Sequence, residues 1–219
     1  MFTRVLISFL CVLILTVAGS AQTFYGTTDV NEFRKGRDAE FRNRDESPLK
    51  PEDLDAFKGL NYYRVDKAYR VNATFKRSAD EKYFDMPTSS GRTKKYVKYG
   101  IVSFKVKGEQ QQLNVYQMDE AALARFPEYA DLLFIPFKDA TYRTETYGGG
   151  RYIDIKTPKG NKVVLDFNMA YNPNCAYGGD KWNCPIPPRE NTLKIAIKAG
   201  EKTYPYTGHD SHEAEAKTE

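Results

Sequence analysis

From Leu60 onward the apolar residues of this chain recur at every second position, and that period constrains the fold more than any other feature. Tyr69, Val71, Ala73 and Phe75 alternate with Arg70, Asn72, Thr74 and Lys76. Successive side chains of an extended backbone point to opposite sides, so this is the pattern of a strand buried on one face. Similar runs cover 82–86, 93–107, 111–117, 132–137, 151–156, 162–167 and 193–197. The segments between them contain turn residues: Ser89-Ser90-Gly91, Lys107-Gly108-Glu109 and Pro158-Lys159-Gly160-Asn161. Glycine supplies positive φ and proline a fixed φ at such places. Seven or eight strands at hairpin spacing predict a mainly β domain, an antiparallel sandwich or flattened barrel.

Two helices are expected beside the strands. Asp29 with Glu32 three residues on resembles a capping box, and Val30, Phe33 and Phe41 give one apolar face to a helix ending near Arg44, before Ser47-Pro48. Its outer face is expected to hold Arg34, Lys35, Arg37, Arg42 and Arg44, diluted by Glu32, Asp38, Glu40 and Asp45, which reads as a solvated face. Pro51 opens a second short turn that Gly59 can close. A short inserted helix over 119–129 places Ala122, Leu123 and Phe126 on one side.

The N-terminus reads as an export signal over residues 1–21. Arg4 precedes an apolar run from Val5 to Ala18, followed by Gly19-Ser20-Ala21, and about 14 apolar residues fall short of the ~20 that span a bilayer. Removal of that signal leaves one β-rich domain over 22–207 and a polar, disordered tail over 208–219, in a periplasmic or extracellular protein with no stable membrane span. Of the three cysteines, Cys11 leaves with the signal. Cys175 and Cys184 are then expected to form a disulfide, which an oxidising compartment permits, a copper or redox thiol pair being the rival.

Charge and histidine content exclude several functions. Lys+Arg 33 against Asp+Glu 29 leaves a net charge of only +4, too balanced for a nucleic-acid footprint. The two histidines, His209 and His212, lie in the tail, so chemistry that needs a histidine nucleophile partner or zinc ligand has none in the folded body. No cofactor is predicted.

Candidate chemistry concentrates between 136 and 201. A three-residue turn joining 151–156 to 162–167 sets Ile155 across from Leu165 and Ile153 across from Phe167, and the same register sets Asp154 opposite Asp166 and Tyr152 opposite Asn168. Facing aspartates repel. They call for a divalent cation held by Asp154, Asp166 and Asn168, for a shared proton that makes an acid/base pair, or for solvation or salt bridges to Arg151 or Arg189. Gly148-Gly149-Gly150 before Arg151 permits either an anion-binding backbone or a bulge with close approach. The chain has 16 Tyr and 13 Phe, and Tyr147, Tyr152, Tyr171, Tyr177 and Trp182 are candidates for stacking on a ligand.

A family resemblance enters on this same segment. Pro136-Phe137 with Asp139 and Thr141, Glu145 through Tyr152 with Asp154, Asp166-Phe167-Asn168 with Ala170 through Pro173, Cys175-Ala176-Tyr177, Cys184 through Pro188, Glu190-Asn191 and Ala199-Gly200-Glu201 together resemble domain-of-unknown-function family 1684. Agreement runs from about 33 to 202. One departure is Tyr142-Arg143, where the family pattern has a small residue and a glycine. The resemblance implies a domain boundary and the importance of this segment, without a reaction.

These readings combine into an expected ligand site. Tyr147, Arg151, Tyr152, Asn168, Tyr171 and Asn172 would bind a small polar ligand, with Asp154, Asp166 and Glu190 as candidate acids. The alternatives are a histidine-free hydrolase using those paired carboxylates, perhaps joined by Glu145, and an envelope interaction module using the basic helix or an aromatic surface.

Overall fold

The structure is a computed structural model that describes residues 25–178 and 181–204; the expected signal over 1–21 and tail over 208–219 lie outside the described residues. Seven strands form one antiparallel sheet: β1 (Arg70–Arg77), β2 (Phe84–Pro87), β3 (Thr93–Val106), β4 (Glu109–Met118), β5 (Leu132–Phe137), β6 (Arg151–Lys156) and β7 (Lys162–Asp166). Their order is β6-β5-β4-β3-β1-β7, with β2 paired to β3, and the sheet curls into a half-barrel. Of the two expected arrangements, the barrel describes this architecture and the sandwich does not.

Alternation within each strand builds the core. Val102, Phe104, Leu113, Val115, Leu133, Ile135 and Ile153 point to one side and bury together with Leu165 and Phe167. Burying apolar area of this kind is the main favourable term in folding, about 25 cal/mol per Å². The β3–β4 hairpin turns at Lys107 and Gly108, both at positive φ, as a tight two-residue turn requires.

The expected β6–β7 hairpin does not form. β6 pairs with β5, setting Asp154 against Phe134, whereas β7 pairs with β1, setting Asp166 against Arg70. Matching apolar faces showed correctly that Ile153, Ile155, Leu165 and Phe167 all face the core. It did not identify neighbours, because strands at the two ends of a curled sheet face the same interior.

The run over 193–197 is not a strand either. Leu193 and Ile197 are buried, but the segment runs beside the chain that leaves β5, through Leu193 N–H to Lys138 C=O and Ala140 N–H to Ile195 C=O. Period-two burial here reflects a cover over the core.

Among the described residues three α-helices flank the sheet: α1 (Val30–Arg42), α2 (Pro51–Leu54) and α3 (Glu120–Arg125). The Asp29 carboxylate caps α1 by accepting from the Asn31 and Glu32 N–H groups, and Asp119 caps α3 through Ala122 N–H. The buried stripe of α1 is Phe33, Arg37 and Phe41, a spacing of four residues. Arg37 therefore lies inward, not on the expected outer face. It faces Glu201, and Phe41 joins Leu49, Phe57, Leu60 and Tyr177 in a second cluster.

The departure at Tyr142-Arg143 also has a structural answer. Arg143 takes φ 64°, the left-handed conformation that a glycine adopts at little cost, so the turn survives with an arginine in it.

Candidate functional site

The sheet face opposite the main core is aromatic where it would ordinarily be polar. Tyr96 on β3, Tyr116 on β4, Phe134 on β5 and Tyr152 on β6 lie across adjacent strands on this face. Phe134 stacks with Tyr96 at 5.6 Å and meets Tyr152 edge-on at 4.7 Å and 74°. The chain after β7 turns back over this surface: Tyr171 exchanges both backbone hydrogen bonds with Tyr152, and its ring stands perpendicular to that of Tyr152 at 5.7 Å and 89°. The Cys175–Cys184 disulfide closes the following loop, so Trp182, Cys184 and Pro185 form one wall.

These surfaces enclose a cavity of about 450 Å³, within the size range of small-ligand sites. Tyr25, Glu40, Tyr129 and the exposed Lys94 also line it, and the Tyr25 ring lies 5.5 Å from that of Tyr171. Asp154 contributes a half-buried carboxylate at the aromatic end. One oxygen accepts from the Tyr171 hydroxyl at 2.5 Å, and no other hydrogen bond reaches the group among the described residues. Burial raises Asp154 to about 6, against the opposing pulls of the Tyr171 hydrogen bond and the Arg37 charge. Burial likewise holds the phenols of Tyr96, Tyr152 and Tyr171 well above their usual range and pushes Tyr129 up to about 12, so the tyrosines are neutral at physiological pH.

Glu40 is already engaged. It accepts from the Tyr25 hydroxyl at 3.0 Å and from Arg37 at 3.2 Å.

Of the residues expected to form the site, the fold brings Tyr152, Asp154 and Tyr171 together and sends the others elsewhere. Arg151 is buried and donates to the carbonyls of Ile197, Ala199 and Glu201 and to Asp139. Strand alternation explains this: Arg151 shares the inward parity of Ile153, opposite to Tyr152. Asn168 is a buried strut, accepting from Asp66 N–H and donating to Asp66 C=O and to Asp166. Asn172 uses its backbone N–H on Glu201 and its amide on the Lys202 carbonyl. Tyr147 packs its ring where a Gly149 Cβ would stand, and Tyr177 is core. Glu190 sits exposed in the turn Arg189–Asn191, and Glu145 pairs with Lys198 and Tyr63. The glycine run is a close-approach turn: a Cβ on Gly150 would meet the Phe137 carbonyl at 2.8 Å.

Asp166 is held by Arg70 at 2.8 Å and by both Asn168 nitrogens. It shares no site with Asp154, so the expected cation site of Asp154, Asp166 and Asn168 is not assembled. Among the described residues no group of three or more His, Cys, Asp or Glu is arranged around a metal position. Asp166→Asn is expected to destabilise the fold by about 1–2 kcal/mol, the loss of a charged hydrogen-bond network tempered by the solvent exposure of Arg70. A urea midpoint at or above that of the wild type would show that the pair contributes nothing.

Sequence reasoning missed Tyr25, Glu40, Lys94, Tyr96, Tyr116 and Phe134. A signal was present for two of them: like the expected Tyr152, Tyr116 and Phe134 are aromatic at alternate positions where a solvated face would be polar.

The fold and site define a curled antiparallel half-barrel whose outer face and disulfide-closed loop enclose a tyrosine-rich cavity around one carboxylate. The chain belongs to the family described as Protein of unknown function (DUF1684), whose model matches residues 55–202. Among solved structures it is similar to the uncharacterized protein from gene locus rrnAC0354 of Haloarcula marismortui, determined by solution NMR. The two are 36% identical over 80% of this chain and 92% of that one, with a TM-score of 0.62. Among curated proteins nothing matches. No described helix is long and apolar enough to cross a membrane.

Proposed function

We propose that this is an exported binding protein that takes a small polar organic ligand into the cavity beside Asp154. The observation that supports this reading is the carboxylate itself. Asp154 is half-buried and lines the cavity, and among the described residues its carboxylate accepts only from the Tyr171 hydroxyl, which leaves accepting capacity for a ligand. Its position in an aromatic cavity of about 450 Å³ matches the usual design of ligand sites, apolar walls with a few placed polar groups. The Asp154–Asp166 pair on which a hydrolase reading depended is absent.

Trp182, the chain's single tryptophan, lines the cavity and provides the readout. Titration with a panel of small amines, polyols and carboxylic acids is expected to change its emission for at least one class, with about tenfold weaker binding in Asp154→Asn. That variant should fold as well as the wild type or better, because burial already disfavours the ionised carboxylate. Equal affinity in the variant and the wild type would move the ligand elsewhere; no response from any class would remove the ligand reading.

A further inference from the structure

We infer that the ligand is an organic cation, an ammonium group bound against the Asp154 carboxylate and the faces of Tyr96, Phe134 and Tyr152. This rests on the cavity being a ligand site and adds the chemical class that it admits.

The rings are arranged to receive a cation. The face of an aromatic ring is the negative end of its quadrupole and attracts a cation within about 6 Å, most strongly where water is excluded. Phe134 meets Tyr152 edge-on, and Tyr152 meets Tyr171 in the same way, while Phe134 and Tyr96 stack and so cover one face of each other. Perpendicular neighbours make a corner that offers more than one face to a compact group, whereas a flat platform would suit a sugar or a base. These rings stay neutral, so they bring their quadrupoles and no competing charge.

Many of the chain's other aromatic rings already hold a cation. Elsewhere in the protein Arg34 lies over Tyr62 at 4.3 Å, Arg42 over Phe57 at 5.3 Å, Arg77 over Tyr99 at 3.8 Å and Lys107 over Tyr69 at 4.6 Å. At the margins of the cavity Arg37 lies 5.0 Å from the centre of Tyr171, and Lys181 lies 4.8 Å from that of Trp182. Among the described residues no Arg or Lys occupies a face of Tyr96, Tyr116, Phe134 or Tyr152. The cluster best built for a cation is the one the chain leaves without one.

Glu40 is paired with Arg37, which leaves Asp154 as the cavity's acid with spare accepting capacity. An anionic ligand would meet a carboxylate at the aromatic end. A neutral polyol would need several donors and acceptors, and three of the polar atoms there are committed: the Tyr152 hydroxyl donates to the Pro185 carbonyl, the Tyr171 hydroxyl to Asp154, and the Asn183 amide oxygen accepts from Ser90, whereas the Trp182 indole N–H has no partner among the described residues. An ammonium needs one carboxylate oxygen and ring faces, and Asp154 with the rings beside it supplies both. Lys94 also lines the cavity, exposed and two residues before Tyr96 on β3, so a cationic ligand would share the cavity with its charge.

The test is calorimetric titration of the disulfide-intact full chain with choline, with its uncharged isostere 3,3-dimethylbutan-1-ol, and with methyl glucoside. Choline is expected to bind at least tenfold more tightly than the isostere. Asp154→Asn should abolish that preference, and Phe134→Leu, which keeps the apolar volume but removes a ring face, should weaken choline about three- to tenfold while leaving the isostere unchanged. Circular dichroism of both variants checks folding, and the isostere's unchanged affinity in Phe134→Leu controls for cavity shape. Binding of the isostere or the glucoside as tightly as choline, with Trp182 responding, overturns the cation assignment and leaves a polar-ligand site standing. Failure of all three probes overturns the cation assignment as well and counts against the ligand site itself.

Discussion

Replacing Arg151 by methionine is expected to lower the unfolding free energy by about 3–5 kcal/mol, the range seen when one member of a buried, hydrogen-bonded charge pair is removed. The guanidinium is 1% exposed. It donates to the Ala199 carbonyl at 2.5 Å, the Glu201 carbonyl at 3.1 Å and the Ile197 carbonyl at 2.9 Å, and it lies 3.4 Å from Asp139. Methionine restores most of the volume and none of the donors. Three carbonyls of the segment that covers the core would lose their partner, and Asp139, 1% exposed, would keep only Thr141 and the Ile197 N–H. Arg151→Lys should recover a minority of the loss, since one ammonium cannot reproduce the planar fork that reaches Ile197 and Ala199 together. Urea midpoints of the two variants at pH 7 check this. A loss below about 1 kcal/mol for methionine would mean that the covering segment is held by its apolar contacts alone, through Leu193, Ile197 and Ala199.

Arg151 also shows why parts of the site were illegible in the sequence. Beside three glycines and in a family-matching run, an arginine reads as an anion ligand, and only strand parity reveals that it points inward with Ile153. The periodic signal served well where it was asked which way a residue faces: Val71, Phe75, Leu113 and Leu165 are all buried as expected. It failed where it was asked which strands are neighbours, because Asp154 and Asp166 have equivalent parity on strands at opposite ends of the sheet. The cavity needed a third kind of information. Tyr25 precedes α1, Tyr96 lies on β3 and Trp182 follows β7 by sixteen residues, so their convergence depends on how the loop after Asp166 folds back. Tyr152, Asp154, Tyr171 and Trp182 were legible as candidates in the local sequence, but the contact of Tyr171 with Asp154 is itself a product of that fold-back, through the Tyr152–Tyr171 bridge.

The same fold-back buries Glu201, and this gives the protein a stability profile opposite to that of most salt-bridged carboxylates. Glu201 is fully buried. One oxygen accepts from the Asn172 N–H at 2.9 Å and lies 3.7 Å from Arg37, while the other has no partner. Loss of water outweighs the attraction of Arg37 and Arg151 and raises the group from 4.5 to about 7. Between those two values the folded chain holds a proton that the unfolded chain has released. Stability must therefore fall as pH rises through this window, because the state that binds more protons is favoured at lower pH. The expected loss between about pH 4.5 and 7 is on the order of 3 kcal/mol, and Asp154, raised from 3.8 to about 6, acts with the same sign. Glu201→Gln keeps an acceptor for the Asn172 N–H and removes the titration, so its profile should be much flatter over that range. Urea unfolding of both proteins at half-unit pH intervals from 4.5 to 7.5 measures the two slopes. A wild-type stability that rises across this interval would show that Arg37 keeps Glu201 ionised in the folded state, and the α1 contact would then be an ion pair that stabilises the fold at neutral pH.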